Sequence, residues 1–337
     1  MTSITELKQL FTEINKLKSK ASYNRSQFCS ALTETDDDAY LELHFTFLQQ
    51  KKRYFQPDLK MYFGFRQNKE KVYHFLKSKQ SQLTDEQLIA DINEILADLN
   101  YYSLNELQQW ISDIKTGKRN DTNEFVWAIR ESPFVALHYN LIKDEELDQN
   151  FRRYLKTSFE EHQEEGETFL LSKLSNNEDT NWHGDIIFIL GTIQGKQSEK
   201  ILNYARKLTE STNNYTRNRA IIVLGWHGKS QDFDILKKHL LTDTDTECRA
   251  WSATAFYIVF NKIKSETFKK KTFSLFQKAL DTETDYFVLS MIIYSMIQIT
   301  NNKFRISQVA LNTLDKEQID AAKGRIKRFI NKYYEYP

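Results

Sequence analysis

The second half of the chain carries an internal repeat, and few sequence features restrict a fold more. The stretches "NWHGDIIFILG" (181–191), "YTRNRAIIVLG" (215–225) and "TECRAWSATAFYI" (246–258) align with His183, Arg217 and Arg249 at one position, 34 and then 32 residues apart. A glycine follows eight residues later in the first two copies, at Gly191 and Gly225, and Tyr257 takes its place in the third. Each copy is preceded by another apolar segment, "FLLSKL", "ILNYARKL" or "FDILKKHL". The closing leucines, Leu174, Leu208 and Leu240, each stand nine residues before the aligned position. A weaker fourth copy, "FSLFQKALDTETDYFVLSMIIYSMI", puts Phe287 there. Segment pairs this short cannot bury their apolar faces alone, and stacking on neighbours supplies a continuous core.

The segments read as helices because the chain is poor in breakers. It has 9 Gly and 3 Pro in 337 residues, far too few for a fold rich in strands and turns. Helix starts are marked by Ser3 with Glu6, Thr84 with Gln87 and Ser103 with Glu106, spaced as capping boxes. Pro57 suits a first helical turn, and Ser132-Pro133 breaks a helix that starts near 122. Tyr40, Leu41, His44, Phe45 and Leu48 form one apolar stripe, and Leu88, Ile92, Ile95, Leu96 and Leu99 form another. A further helix is expected at about 146–163. The organisation expected is an N-terminal helical region over 1–120, without a clear period, followed by a repeat region over 121–337.

The repeat resembles HEAT repeats. In that family an Asp-rich turn leads into Arg-x-x-Ala and a helix of small and aliphatic residues. "TDTDTECRAWSATAF" fits through Asp243, Asp245 and Arg249, and "TRNRAIIVLG" fits through Arg217, Ala220, Leu224 and Gly225. The resemblance covers about 165–300 and implies an all-α fold, a right-handed α-solenoid of helix pairs. The first copy departs from it, with His183 in place of the arginine.

Signatures of chemistry are scarce. Gly191-Thr-Ile-Gln-Gly195 lacks the Lys-Ser/Thr of a phosphate loop. The acidic "DTDTE" (243–247) lacks the glycine and distal glutamate of a calcium loop and reads as an inter-helix turn. Cys29 and Cys248 stand too far apart in sequence for metal-ligand spacing. Trp-His-Gly occurs twice, at 182–184 and 226–228, but out of register with the repeat. The two histidines therefore belong at opposite ends of neighbouring parallel helices, about 18 Å apart, too far to share a metal ion. Gly225 and Gly228 are expected to relieve a helix C-terminus. Trp226 is expected to pack on the next repeat, and Trp226 and His227 to lie in a partner-facing loop.

The net charge is +1, a poor footprint for nucleic acid, although Lys51–Lys79 and Lys262–Lys278 are locally basic. The expected binding face is a basic stripe on the segments that precede each copy. It comprises Lys200, Asn203, Arg206 and Lys207, then Lys237, Lys238 and His239, then Lys270, Lys271 and Lys278. Arg217, Trp226 and His227 complete the candidate set. The reading is a non-enzymatic solenoid that binds a protein with an acidic surface, with no cofactor, metal or membrane and with nucleic acid disfavoured. An immunity-type inhibitor that neutralises a toxin is expected first and a scaffold or assembly factor second. A bacterial, cytoplasmic setting fits the Asn-, Lys-, Ile- and Tyr-rich composition, the two cysteines and a start without a secretory pattern. The enzyme alternative is a HEAT-like glycosylase of alkylated bases using Trp110, Asp113, Arg217 and Arg219.

Overall fold

The computed structural model describes residues 2–16, 22–50, 56–193 and 197–335, and these contain helices and no strand. The chain divides into two compact units, Met1–Arg152 and Arg153–Pro337.

The first unit contains α1 (Ile4–Lys16), α2 (Ser22–Leu32), α3 (Asp38–Gln49), α4 (Gln56–Gly64), α5 (Lys69–Gln80), α6 (Glu86–Leu99), α7 (Leu104–Lys115), α8 (Thr122–Arg130) and α9 (Val135–Lys143). The capping boxes at Ser3–Glu6 and Ser103–Glu106 form as expected. At α6 the cap is Asp85 and not Thr84: its carboxylate accepts the amides of Gln87 and Leu88. A carboxylate one residue later reaches the orphan donors and also suits the positive end of the helix dipole. The α3 stripe is wider than its periodicity suggests, because Leu43 and Phe47 are buried as well. The Phe47 ring stacks on Phe11 at 3.6 Å and leans on Phe28.

A buried polar knot ties α3 to α4. The His44 ring stacks on Phe63 at 3.7 Å and donates from Nε2 to the Leu59 carbonyl at 2.8 Å. Its Nδ1 accepts from Nη2 of buried Arg66 at 3.3 Å. Arg66 also donates to the Thr35 carbonyl and faces Asp36 at 3.8 Å.

α10 (Gln149–Ser158) does not run on to 163. It stops at Ser158, a short 3-10 turn covers Phe159–His162, and α11 (Gln163–Ser175) begins at Gln163, whose φ is +46°. Gly166 permits this tight corner, because a Cβ there would meet the His162 Cβ at 2.9 Å.

After α11 come α12 (His183–Thr192), α13 (Ser198–Leu208), α14 (Asn214–His227), α15 (Phe233–Thr242), α16 (Thr246–Ile263), α17 (Glu266–Thr282), α18 (Tyr286–Thr300), α19 (Gln308–Asn312) and α20 (Lys316–Glu335). α12, α14, α16 and α18 pack side by side as one layer, with α13, α15 and α17 each packed against the helix that follows it. This neighbour-to-neighbour stacking makes the unit an all-α solenoid. Small residues set the close approach: a Cβ on Gly191 would meet Val223 at 2.7 Å, and one on Gly225 would meet Ala255 at 3.1 Å.

An ion-pair ladder repeats along the stack. Arg217 forks onto Asp243 with two bonds of 2.8 Å, and Arg249 forks onto Glu283 at 2.8 and 3.4 Å. Asp243 and Glu283 each sit two residues before the caps of α16 and α18, Asp245 and Asp285. Measured from those caps, the counterpart of Arg249 is Leu289 and not Phe287, because the connection through α17 is longer. The first copy lacks the ladder. His183 instead donates Nε2–H to the Glu178 carbonyl at 2.9 Å, securing the turn that precedes α12.

Candidate binding faces of the repeat unit

The two Trp-His-Gly copies serve separate structural ends. His183 is the first residue of α12, and His227 is the last residue of α14. His227 donates Nε2–H to the Gly191 carbonyl at 2.7 Å, near the far end of α12. His183 and Gly191 are eight residues apart, about 12 Å along a helix. Each ring meets a carbonyl oxygen, so each nitrogen concerned acts as a donor and cannot also be a metal ligand.

Three expectations about this segment need correction. Trp226 and His227 lie in the last turn of α14, not in a loop, and both are half-buried. The Trp226 ring packs on Phe188 of the preceding repeat at 5.1 Å, a contact on the side opposite the one expected. Gly225 lies inside the helix, where it admits Ala255. Gly228 alone ends the helix, in extended geometry, with its amide on the Leu224 carbonyl at 2.7 Å. A Cβ on Gly228 would come within 2.2 Å of that same carbonyl oxygen, so close approach and not a left-handed turn selects the glycine.

The basic stripe falls on α13, α15 and α17, but part of its charge is balanced internally. Arg206 forks onto buried Asp232 at 2.7 and 3.3 Å and also meets Glu199 at 3.2 Å. Lys238 pairs with Glu210 at 2.6 Å. His239 is buried and donates Nδ1–H to Asp243 at 2.8 Å. Lys200, Lys207, Lys237, Lys270, Lys271 and Lys278 remain exposed. Of the basic run 51–79, residues 51–55 lie outside the described residues, as does Gly195.

Arg217 is a fastener. Besides Asp243 it holds the Ser211 carbonyl and Asn214. Burial alone would raise the Asp243 carboxyl, but Arg217, the Asp245 amide and His239 outweigh it and hold the group well below the usual carboxylate range. Burial pushes the neighbouring Cys248 thiol upward, the opposite of an activated nucleophile. Trp110 of the glycosylase reading is also structural. It is buried, its indole donates to Asp121 at 2.9 Å, and Arg119 lies over its ring at 4.1 Å.

A second face escaped the sequence reading. On the α12–α14–α16–α18 layer, Arg219 lies between two rings, 4.5 Å from the centre of Phe188 and 4.8 Å from that of Tyr215. Phe188 in turn touches Trp226, which makes a continuous stack. Tyr215 is 41% exposed and donates its hydroxyl to Asp185, which also pairs with Lys156. Further along the layer are Trp251, 37% exposed, and the edge-to-face pair Tyr257–Tyr294. The available signal was the recurrence of large aromatics at outward positions of otherwise aliphatic helices, starting with Tyr215 and Arg219 at i and i+4.

Among the described residues, no group of three or more His, Cys, Asp or Glu side chains is placed to hold a metal ion. None of the helices described is long and apolar enough to cross a membrane.

Paired helices, side-by-side stacking and a repeated arginine–carboxylate tie together define an α-solenoid of HEAT-like repeats. Residues 167–256 match the family model of HEAT repeats, and the same architecture continues beyond the match through α18. No curated protein matches the chain. The repeats are of the kind that builds interaction and scaffold solenoids.

Proposed function

We propose that the protein acts without catalysis, by binding another protein along its repeat unit. The observation that carries this reading is the stack itself. Rigid helices hold two extended rows of side chains in register, aromatic residues with Arg219 on one layer and lysines on the other. Large interfaces draw on such preorganised surfaces, and Trp, Tyr and Arg are the side chains that most often dominate their energetics.

Within that class, the finer reading is an immunity-type inhibitor that occupies a toxin's working surface inside the producing bacterial cell. A scaffold differs by holding two partners at once. Co-expression with the product of the neighbouring gene tests both. The inhibitor reading expects a nuclease-resistant one-to-one complex and loss of the neighbour's toxicity. A complex that leaves toxicity unchanged, or no complex, would overturn it. The glycosylase alternative draws no support from Trp110 and Arg217, which are committed to Asp121 and Asp243. Release of alkylated bases that is lost on Asp113→Asn would restore it.

A further inference from the structure

The bracketed arginine on α14 has no counterpart elsewhere in the ladder. Arg217 and Arg249 each have a carboxylate, whereas among the described residues no carboxylate pairs with Arg219. Its Nε is buried without a hydrogen-bond partner, although the residue as a whole stays partly exposed. Asp185, the acid that accepts from the Tyr215 hydroxyl, is also engaged by Lys156. The two rings hold the guanidinium in place, one of its N–H groups faces the Tyr215 hydroxyl, and the remaining N–H donors are left for a further acceptor. Those donors match a carboxylate in geometry and charge. Close by in the same layer the surface is apolar and aromatic, with Phe188, Tyr215 and Trp226 in one stack and Trp251 exposed on the next helix.

Resting on the protein-binding reading above, we propose that Arg219, with Phe188, Tyr215 and Trp251, forms a docking site for an acidic segment of a partner protein. A partner Asp or Glu carboxylate bonds the guanidinium edge, and apolar side chains flanking it pack on the aromatic residues. The charge inventory favours a protein over nucleic acid. A strand of nucleic acid presents a phosphate at every step and requires several unpaired cations in a row. Here Lys156, Arg217 and Arg249 are committed to carboxylates and Lys262 to the carbonyls of Trp226 and Gly228, which leaves Arg219 as the cation set among the rings. One fixed cation inside an aromatic surface suits one carboxylate with apolar neighbours. It also places the specific contact on the layer opposite the lysines of α15 and α17, which are left to contribute long-range attraction to the same acidic partner.

The test uses the full chain as the target for a displayed random peptide library, followed by anisotropy titrations with synthetic copies of the enriched peptides. The expected winners carry Asp or Glu beside aromatic or aliphatic residues. Their affinity should fall roughly tenfold or more on Arg219→Ala and on Trp251→Ala, and remain near wild type in Lys270→Ala/Lys271→Ala. Arg219→Lys should rescue little, because an ammonium keeps the charge and loses the planar fork. Trp251→Ala removes an exposed side chain, so it reads the site even if an Arg219 variant melts early. Peptides that survive both substitutions but are lost with the lysines would overturn this site while keeping the protein-binding reading. Failure to enrich any peptide, together with Arg219-dependent binding of a single-stranded oligonucleotide, would overturn both.

Discussion

Both units bury an arginine to fasten a turn to a helix, and they do it with unequal completeness. In Met1–Arg152, Arg66 meets a carbonyl, a histidine nitrogen and a carboxylate at 3.8 Å, yet its Nε and Asp36 Oδ1 lack partners. Burial pulls its guanidinium down to about 10 despite Asp36. In Arg153–Pro337, Arg217 is fully forked, and its pairing with Asp243 drives its ionisation the other way. A tie that engages all three guanidinium nitrogens can be copied from repeat to repeat, as Arg249 and Glu283 show. A one-off knot depends on the particular rings and carbonyls around it.

The largest test of this contrast is Arg217→Met, which strands Asp243, a side chain only 3% exposed. Breaking a buried pair from one side costs about 3–5 kcal/mol. Hydrogen exchange should show the loss centred on α14, α15 and α16, and a change below about 1 kcal/mol would mean the ladder is ornamental.

Acid comes next. Burial and the neighbouring Arg66 charge hold His44 well below its usual value, and burial lowers His162 to about 4. Both histidines are neutral in the folded chain and protonate near pH 6.5 when it unfolds. Their stabilisation is therefore complete above about pH 6.5 and falls by about 1.4 kcal/mol per pH unit for each below it. For His162 the loss ends near pH 4. Asp243 has a depressed carboxyl, so its contribution persists until the pH drops below about 4. Urea melts at pH 7 and pH 5 should differ by a few kcal/mol, and equal midpoints would show that the histidines are not buried neutral.

Arg66→Met should cost less than Arg217→Met, about 1 kcal/mol. The orphaned Asp36 side chain is 16% exposed and can turn to water, and the knot was incomplete at the outset. If both methionine variants melted alike, the distinction between copied and one-off ties would fail. The smallest effect belongs to Lys238→Ala. Its partner Glu210 is 60% exposed and the lysine 55%, so thermal stability should shift by well under about 1 kcal/mol, less still in high salt.

Legibility in the sequence followed the same division. The ladder positions Arg217, Asp243 and Arg249 stood out because recurrence at near-constant spacing marks a shared job. His44 and Arg66 could not be paired from sequence, since they stand 22 residues apart and no repeated spacing relates them. The binding faces were read in part. The lysine stripe was found, but its neutralisation at Arg206 by Asp232 was not, because that acid belongs to the turn of the next repeat, 26 residues on.

Helical segments, breaks at Ser132-Pro133, most caps and the period of the stack were determined by the sequence itself, because each rests on interactions within a few residues or on a pattern repeated along the chain. Only the tertiary structure decided that His183 and His227 secure carbonyls, that Gly191 and Gly225 are points of close approach, and that Arg219 sits between Phe188 and Tyr215. Most of these depend on how one helix slides and turns against its neighbour. A displacement of a single turn, about 5.4 Å, would give the same residues different partners.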